Sequence, residues 1–319
     1  MKALRRAWAA WRGLWSGEEA PYALVAVRVL LGLTILADLF EVWRMKLIVG
    51  LWGPCDAGGM GCPDKDPTPV ELYRWFAPTV HTTHHAFMVL VVATACFTVG
   101  WLAQPAALVA LVILAQFAEI LPPADRGIDM LVRNVLLLYV FVPSGRALGV
   151  DARIFGRLER MSAWPRRLLC LQLVVVYFTA GIQKTAVAWW PWGGFSALFI
   201  VLQDMAVARI PFAWLAPWYP LTQLATAGTM VFELGAVLVP LALVYRNTRT
   251  RPGWLRAQLN RTGFLHKWLA VGVLLHLGIA ATMHLGIFPW AMLALYPCLF
   301  HPDELLRGVR RVRREFGWG

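Results

Sequence analysis

Apolar residues in this chain occur in long continuous runs that contain few polar positions. Several of these runs approach the ~20 apolar residues that a helix needs to cross a bilayer. Backbone groups in lipid must bond to one another, so a spanning segment is a helix or part of a closed barrel. Barrel strands alternate polar and apolar residues, and these runs do not. The pattern predicts an all-α integral membrane protein with about eight transmembrane helices, at residues 22–44, 86–102, 105–121, 127–143, 168–184, 219–245, 267–283 and 286–300.

Composition supports this class. Hydrophobic residues make up 59% of the 319 positions, and charged residues only 15%. A soluble globular domain has a more even balance, so that class is excluded. Residues 1–18 place Trp8 and Trp15 on one helical face and Arg5 and Arg12 on the other, which is typical of an interfacial amphipathic helix. The predicted organisation is this cytoplasmic helix, a transmembrane domain at 20–302 and a basic cytoplasmic tail at 303–319.

The net charge of +12 is concentrated in a few connections. Segments 144–167 and 246–267 and the tail are rich in arginine, and short positive loops remain in the cytoplasm. An even number of spans places these segments and both termini on one side. The distribution predicts a multi-pass inner-membrane protein with cytoplasmic termini. The positive charge indicates topology and contact with anionic lipids rather than with nucleic acid.

The loop at residues 45–85 has a turn-rich stretch that contains Cys55 and Cys62. An extracytoplasmic position permits a disulfide between these two cysteines. Three histidines follow at His81, His84 and His85, at a spacing that also suits a metal site built with the cysteines. A solvated loop near a helix start explains the histidines more simply and is the favoured interpretation. The spacing alone does not decide among these alternatives.

Ionisable residues inside the predicted spans are the main candidates for function, because each is costly in lipid. Asp129 and Arg133 are four residues apart in the fourth span, so a helix brings them to one face and predicts an ion pair. Most of the other candidates fall in the outer half of the membrane by the topology above. They either line a shared polar cavity or act as separate helix–helix clamps and anchors. The ionisable residues that could line this cavity, with the Asp129–Arg133 pair included, are Asp38, Glu41, Glu119, Asp129, Arg133, Lys184 and His284.

Lys184 closes the fifth apolar run, directly before the tryptophan-rich stretch 189–194. As an anchor it would extend to the headgroups and keep its charge. As a general base it would need an apolar pocket that disfavours the ammonium form. The tryptophans and glycines after it suggest a cap. Residues 195–203 are apolar but too short to cross the bilayer. This indicates a segment that lies in the outer interface or re-enters the membrane and covers a cavity.

A family resemblance brings several of these positions together. The chain resembles the HTTM (horizontally transferred transmembrane) proteins and the related membrane domain of vitamin K-dependent gamma-carboxylases, over most of residues 20–302. No single motif is decisive, and the order and spacing of the positions carry the likeness. These positions are Arg28, Gly32, Phe141-Val142-Pro143, Val150-Asp151, Gln172, Tyr177, Ala180, Gly181, Lys184, Trp189, Gly193, Glu233, His276, Met283, Phe288-Pro289 and Phe300.

The resemblance implies quinone chemistry. In the carboxylases this domain binds reduced vitamin K, and the lysine that corresponds to Lys184 acts as the base. The expected cofactor is therefore a reduced, vitamin K-like quinone, with Tyr177, Trp189, Asp129, Arg133 and His284 as expected contacts. Two differences oppose glutamate carboxylation. The carboxylases have a large extracytoplasmic domain after the membrane part, and the sequence up to Gly319 contains no such domain. They also have an Asn-His pair near the start of the fourth span, where residues 125–129 of this chain contain no histidine.

Two functions from different classes remain open. The first is an integral membrane enzyme that uses a quinone-like lipid, with Lys184 as general base. The second is a non-enzymatic membrane partner in the maturation, export or immunity of a secreted peptide or protein. In that case Lys184 and the intramembrane acids would simply hold helices together. A transporter has weaker support, because the sequence shows no inverted repeat.

Overall fold

A computed structural model describes residues 5, 8, 12–13, 15–62, 79–246, 248–305 and 307. The protein is almost entirely helical in this part. Its helices are α1 Tyr22–Arg44, α2 Ile48–Trp52, α3 Val80–Val99, α4 Ala103–Ile120, α5 Gly127–Val140, α6 Val150–Ile154, α7 Trp164–Ile182, α8 Ala197–Gln203, α9 Tyr219–Gly235, α10 Val239–Arg246, α11 Trp254–Arg261, α12 Phe264–Thr282 and α13 Phe288–Leu295. Two short strands, β1 Glu18–Glu19 and β2 Met161–Ser162, pair antiparallel.

Six helical segments of the described chain are long and apolar enough to cross a membrane. They are Tyr22–Arg44, Val80–Val99, Ala103–Ile120, Trp164–Ile182, Ala213–Arg246 and Phe264–Thr282. The other two predicted spans, 127–143 and 286–300, correspond to helical segments Gly127–Val140 and Phe288–Leu299, which are shorter. The all-α membrane fold is confirmed, and the count of eight spans is not.

The spans expose many large apolar side chains, whose contact with water would be unfavourable. Leu224 and Val231 on α9 are 70% and 74% exposed, and Leu274 on α12 is 70% exposed. Exposed apolar area of this extent on helix surfaces marks contact with another apolar phase. A lipid bilayer supplies that phase, which confirms the predicted bilayer environment.

The predicted start of the second span shifts. Helix α3 begins at Val80 instead of 86, because the Thr79 side chain accepts a hydrogen bond from Thr82 N at 3.1 Å and caps the helix. His81, His84 and His85 therefore lie in the first turns of a helix and not in a loop. The predicted helix 1–18 and tail 303–319 lie largely outside the described residues, although the described positions between 5 and 16 are helical.

Cys55 and Cys62 form a disulfide with their Cα atoms 5.3 Å apart, which is one of the alternatives that the sequence left open. Within the described residues, no group of three histidine, cysteine or acidic side chains is placed to hold a metal ion. The small loop is also closed by backbone bonds, including Gly61 N to Gly53 O at 2.8 Å. These bonds and the disulfide fix a compact turn after α2.

The chain divides into two compact units. The first comprises Met1–Arg166 and Phe300–Gly319, and the second comprises Arg167–Leu299. In the first, α3 packs against α1 and α4, and α4 packs against α5. Gly32 permits the approach of α1 to α3, because a Cβ at this position would overlap the Thr98 hydroxyl. Close backbone contact of this kind is typical of membrane helices.

Two buried charged side chains of the first unit, Arg28 and Asp151, are bonded to backbone atoms. Arg28 is 1% exposed and donates to the Leu148 carbonyl at 2.7 Å. Asp151 accepts from the Leu102 and Ala103 amides at 2.7 and 3.1 Å and thereby caps α4. Polar groups out of water need such partners, so these contacts specify how the connections fold back on the helices.

In the second unit, α7, α9, α12 and α13 surround an aromatic core. Phe232 and Trp268 stack at 4.5 Å, and the Trp268 indole donates to the Phe232 carbonyl at 3.0 Å. The short helix α8 joins a separate cluster through Leu202, which packs with Phe212 and Met283. The unit therefore contains both the core under the candidate site and the segment predicted to cover it.

Candidate functional site

Lys184 lies two residues beyond the end of α7 and points to an acid, not to open solvent. Its Nζ donates to both carboxylate oxygens of Glu233 on α9, at 2.8 Å and 2.6 Å, and to the Ala180 carbonyl at 3.3 Å. The two side chains are 19% and 9% exposed. The ammonium also sits 5.0 Å from the centre of the Trp189 ring. The geometry is a partly buried, charge-assisted pair beside an indole face.

The tryptophan-rich stretch after Lys184 holds this lysine in place. Trp190 donates its indole N–H to the Lys184 carbonyl at 2.9 Å, and Trp190 stacks on Trp192 at 5.3 Å. Gly194 adopts a φ of +65°, which glycine supplies without strain. A side chain at Gly193 would overlap the Val187 carbonyl. The stretch is therefore a tight, aromatic turn built from two 3₁₀ segments, Val187–Trp189 and Pro191–Gly193.

Glu233 is the site residue that the sequence-based assignment omitted. The sequence includes Glu233 among the positions of the family resemblance but does not place it among the contacts of Lys184. An acid in the middle of a span requires a partner, and that requirement was the available signal. Gly181 allows the approach, because a Cβ there would lie 3.1 Å from the Glu233 Cβ and 3.0 Å from a Leu234 methyl.

Tyr177, one of the predicted cofactor contacts, lies in a buried hydrogen-bond network. Its hydroxyl contacts His276 Nε2 at 2.5 Å and the Tyr296 hydroxyl at 2.8 Å. Phe232 and Trp268 pack edge-on against its ring at 4.8 and 5.4 Å. His276 is 1% exposed, and its Nδ1 has no hydrogen-bond partner among the described residues. Tyr177 thus contacts side chains of its own unit and is not open to the lipid.

The Lys184–Glu233 pair and the hydrogen-bond network of Tyr177 both lie in the second unit. Tyr177 and Lys184 are seven residues apart along α7 and its extension, and Phe232 and Glu233 are neighbours on α9. Glu233 also interacts electrostatically with Tyr177. The second unit thus holds an amine paired with a carboxylate and, separately, two phenols bonded to one another and to an imidazole. Groups of this kind can accept, donate and pass protons.

The predicted ion pair of Asp129 with Arg133 is wrong. Arg133 instead makes a bidentate pair with Asp125, at 2.7 Å for both bonds, and Asp129 accepts from the Arg126 guanidinium at 2.8 and 3.1 Å. Asp129 also accepts from the Arg126 backbone amide at 3.0 Å, as the third residue of α5 commonly does. The capping geometry turns Asp129 toward the start of α5. Arg133 therefore binds Asp125, which lies in the turn before the helix.

The remaining residues of the predicted polar cavity are in varied surroundings. Glu41 is exposed and forms a salt bridge with Arg44. The side chains of Glu119 and His284 are also exposed. Asp38 interacts electrostatically with Arg126. His284 is bound through its backbone amide to the Val207 carbonyl at 2.7 Å. Of the predicted site residues, Trp189 is the one that the structure places beside Lys184. Asp129 and Arg133 belong to the first unit, and Lys184, Trp189, Tyr177 and His284 to the second.

Comparison with known proteins gives one match. A family model described as the HTTM domain matches residues 18–303, which is nearly the whole chain. No curated protein and no solved structure matches the chain. The family match agrees with the apolar helices and with the resemblance found at the level of single positions. The chain therefore belongs to the HTTM domain family.

Proposed function

We propose that this protein is a membrane enzyme that removes a proton from a lipophilic hydroxyl compound, with Lys184 and Glu233 as the proton-accepting pair. The observation that supports it most directly is the Lys184 ammonium, held between both Glu233 oxygens and an indole face and largely shielded from solvent. Outside water, an amine and a carboxylate in such contact exchange protons at lower cost than exposed groups do.

The proton count of the pair permits this role. An ammonium beside a carboxylate carries the same protons as an amine beside a carboxylic acid, so the pair is neutral in either form. In the second form the Lys184 amine accepts the proton of the substrate, which gives an ammonium beside a carboxylic acid. The anion left on the substrate then lies next to the positive Lys184, which stabilises it electrostatically.

The donor set fits the head group of a reduced quinone, which is the cofactor that the family resemblance implies. Such a cofactor, when bound, supplies an aromatic ring with an acidic hydroxyl. Trp189 offers a ring face for stacking, and Lys184 and Glu233 offer the polar contacts at its edge. Tyr177 interacts electrostatically with Glu233. The roles of Asp129, Arg133 and His284 as cofactor contacts remain predictions.

The test compares Lys184→Arg with the wild type. Arginine keeps the positive charge and the ion pair but does not lose its proton in proteins, so it separates the acid–base role from the structural one. A naphthohydroquinone is added without oxygen to protein in nanodiscs, and its ionisation is followed by absorbance against pH. We expect the wild type to lower the ionisation midpoint of the hydroquinone and Lys184→Arg to abolish this shift. Equal shifts in both proteins would contradict the proposal.

A second candidate function has its own observation. The three bonds from Lys184 Nζ, to two Glu233 oxygens and the Ala180 carbonyl, match the three protons of an ammonium. This is also what a permanent clamp between α7 and α9 would require. The protein would then be a non-enzymatic membrane partner in the handling of a secreted peptide or protein. Lipids that co-purify with the protein distinguish the two, because a bound quinone favours the enzyme.

A further inference from the structure

The N-terminal cleft, formed by Trp8, Arg12, Trp15, Ser16, Ser162 and Trp164, is a concave site. Its volume is about 920 Å³, which is in the range of small-molecule sites. All of its residues belong to the first unit. It is independent of the Lys184–Glu233 pair and of the function proposed for that pair.

Three features describe the chemistry of this cleft. Three indole rings provide apolar walls with an N–H on each, a guanidinium lies among them, and two serine hydroxyls are present. Tryptophan and arginine are the residues that occupy the boundary between lipid and water. Arginine binds phosphate through two parallel N–H bonds, and serine adds a further donor. The lining therefore suits a phosphate group attached to an apolar body.

The acids near the cleft are already engaged. Glu19 is buried and bonded to Arg166 at 2.6 and 2.8 Å, and Glu18 lies 3.6 Å from Arg160. Arg12 is exposed and makes no hydrogen bond or ion pair within the described part of the chain. The cleft thus retains one positive charge that is available to an anion.

The position of the cleft indicates where the anion comes from. Ser16 lies six residues before the start of the span α1, and Trp164 is the first residue of the span α7. The pairing of β1 with β2 holds these two segments together, with Ala163 N bonded to Gly17 O at 2.7 Å. Leu30 and Leu33, farther along α1, are 43% and 52% exposed, so acyl chains can lie along this helix.

We infer that the N-terminal cleft binds the phosphate headgroup of an anionic phospholipid, with Arg12 as the main contact and the tryptophans around the glycerol backbone. A membrane lipid satisfies the charge, the aromatic walls and the adjacent apolar helix at once. A soluble phosphate compound would use only the charge.

Native mass spectrometry with defined lipids tests the inference. Purified protein is exposed to equal amounts of phosphatidylglycerol and phosphatidylcholine, and the retained lipids are counted for the wild type, Arg12→Gln and Arg249→Gln. Arg249 is an exposed arginine of the second unit and serves as the matched control. We expect preferential retention of phosphatidylglycerol, about fivefold weaker in Arg12→Gln and unchanged in Arg249→Gln.

Three results would overturn the inference. One is equal retention of the two lipids by the wild type. Another is an equal loss in both arginine variants, which would show a general charge effect. The third is displacement of the lipid by inorganic phosphate alone, which would identify a soluble anion as the occupant. Both substitutions are at exposed positions, so melting temperatures matching the wild type verify that folding is intact.

Discussion

At the scale of the residue, the central feature is how Glu233 compensates the charge of Lys184. An end-of-span lysine ordinarily extends to the headgroups, and Lys184 instead folds back on Glu233. Both groups leave water, so the Coulomb attraction has to offset their desolvation. The Trp189 ring face adds a contact that favours the cation, and the Ala180 carbonyl accepts a further hydrogen bond. The sequence shows that each group needs a partner but not which partner it finds.

A double-mutant cycle measures this coupling. Lys184→Met leaves Glu233 without its cation and should destabilise the protein by about 3 kcal/mol, because removing one partner of a buried pair leaves a desolvated charge. Lys184→Met with Glu233→Leu should recover most of that loss, because two apolar groups replace the pair. Unfolding free energies in bicelles provide the measurement. A double variant no more stable than the single one would show that the pair is not the relevant interaction.

At the scale of the element, close approach of helices depends on glycine at particular positions. A Cβ at Gly272 on α12 would overlap the Tyr296 hydroxyl and lie 2.8 Å from Phe232 Cζ. The same helix has Gly278, around which no heavy atom lies within 4 Å of the added Cβ. Both glycines look alike in the sequence. Packing against α9 and Tyr296 makes one of them necessary.

These two glycines give a matched prediction. Gly272→Ala should displace Tyr296 or Phe232 and destabilise the second unit by about 1–3 kcal/mol, as overpacking of a dense core does. Gly278→Ala should be neutral or stabilising by up to about 1 kcal/mol, because alanine is the better helix former. Thermal unfolding followed by circular dichroism compares them. Equal effects of the two substitutions would contradict the packing argument.

At the scale of the whole molecule, the family match and the apolar helices establish a polytopic membrane protein, whereas its orientation remains a prediction. The basic segments, including 246–267, predict cytoplasmic loops. The Cys55–Cys62 disulfide is consistent with the opposite, oxidising side. These are independent indications, one from charge and the other from redox chemistry.

Labelling with a membrane-impermeant maleimide tests the orientation. On intact cells treated with a mild reductant, Cys55 and Cys62 should react. A Cys introduced by Arg249→Cys should react only after the membrane is permeabilised, because its loop is predicted to be cytoplasmic. Cys96, Cys170 and Cys298 are half-buried or buried and should label slowly, and labelling of the wild type without reductant is the control for this background. Reaction of the Arg249→Cys variant in intact cells would reverse the predicted topology.

The sequence by itself determined the class, the family and most of the helices, because lipid imposes continuous apolar runs and makes each buried charge conspicuous. It placed Lys184, Tyr177 and the disulfide cysteines among the positions of interest. The tertiary structure decided the pairings: Lys184 with Glu233, Arg133 with Asp125, and Tyr177 with His276 and Tyr296. The rotation of a helix about its axis and the direction of a capping turn select these partners. Both depend on packing between segments far apart in the chain, to which the local pattern is insensitive.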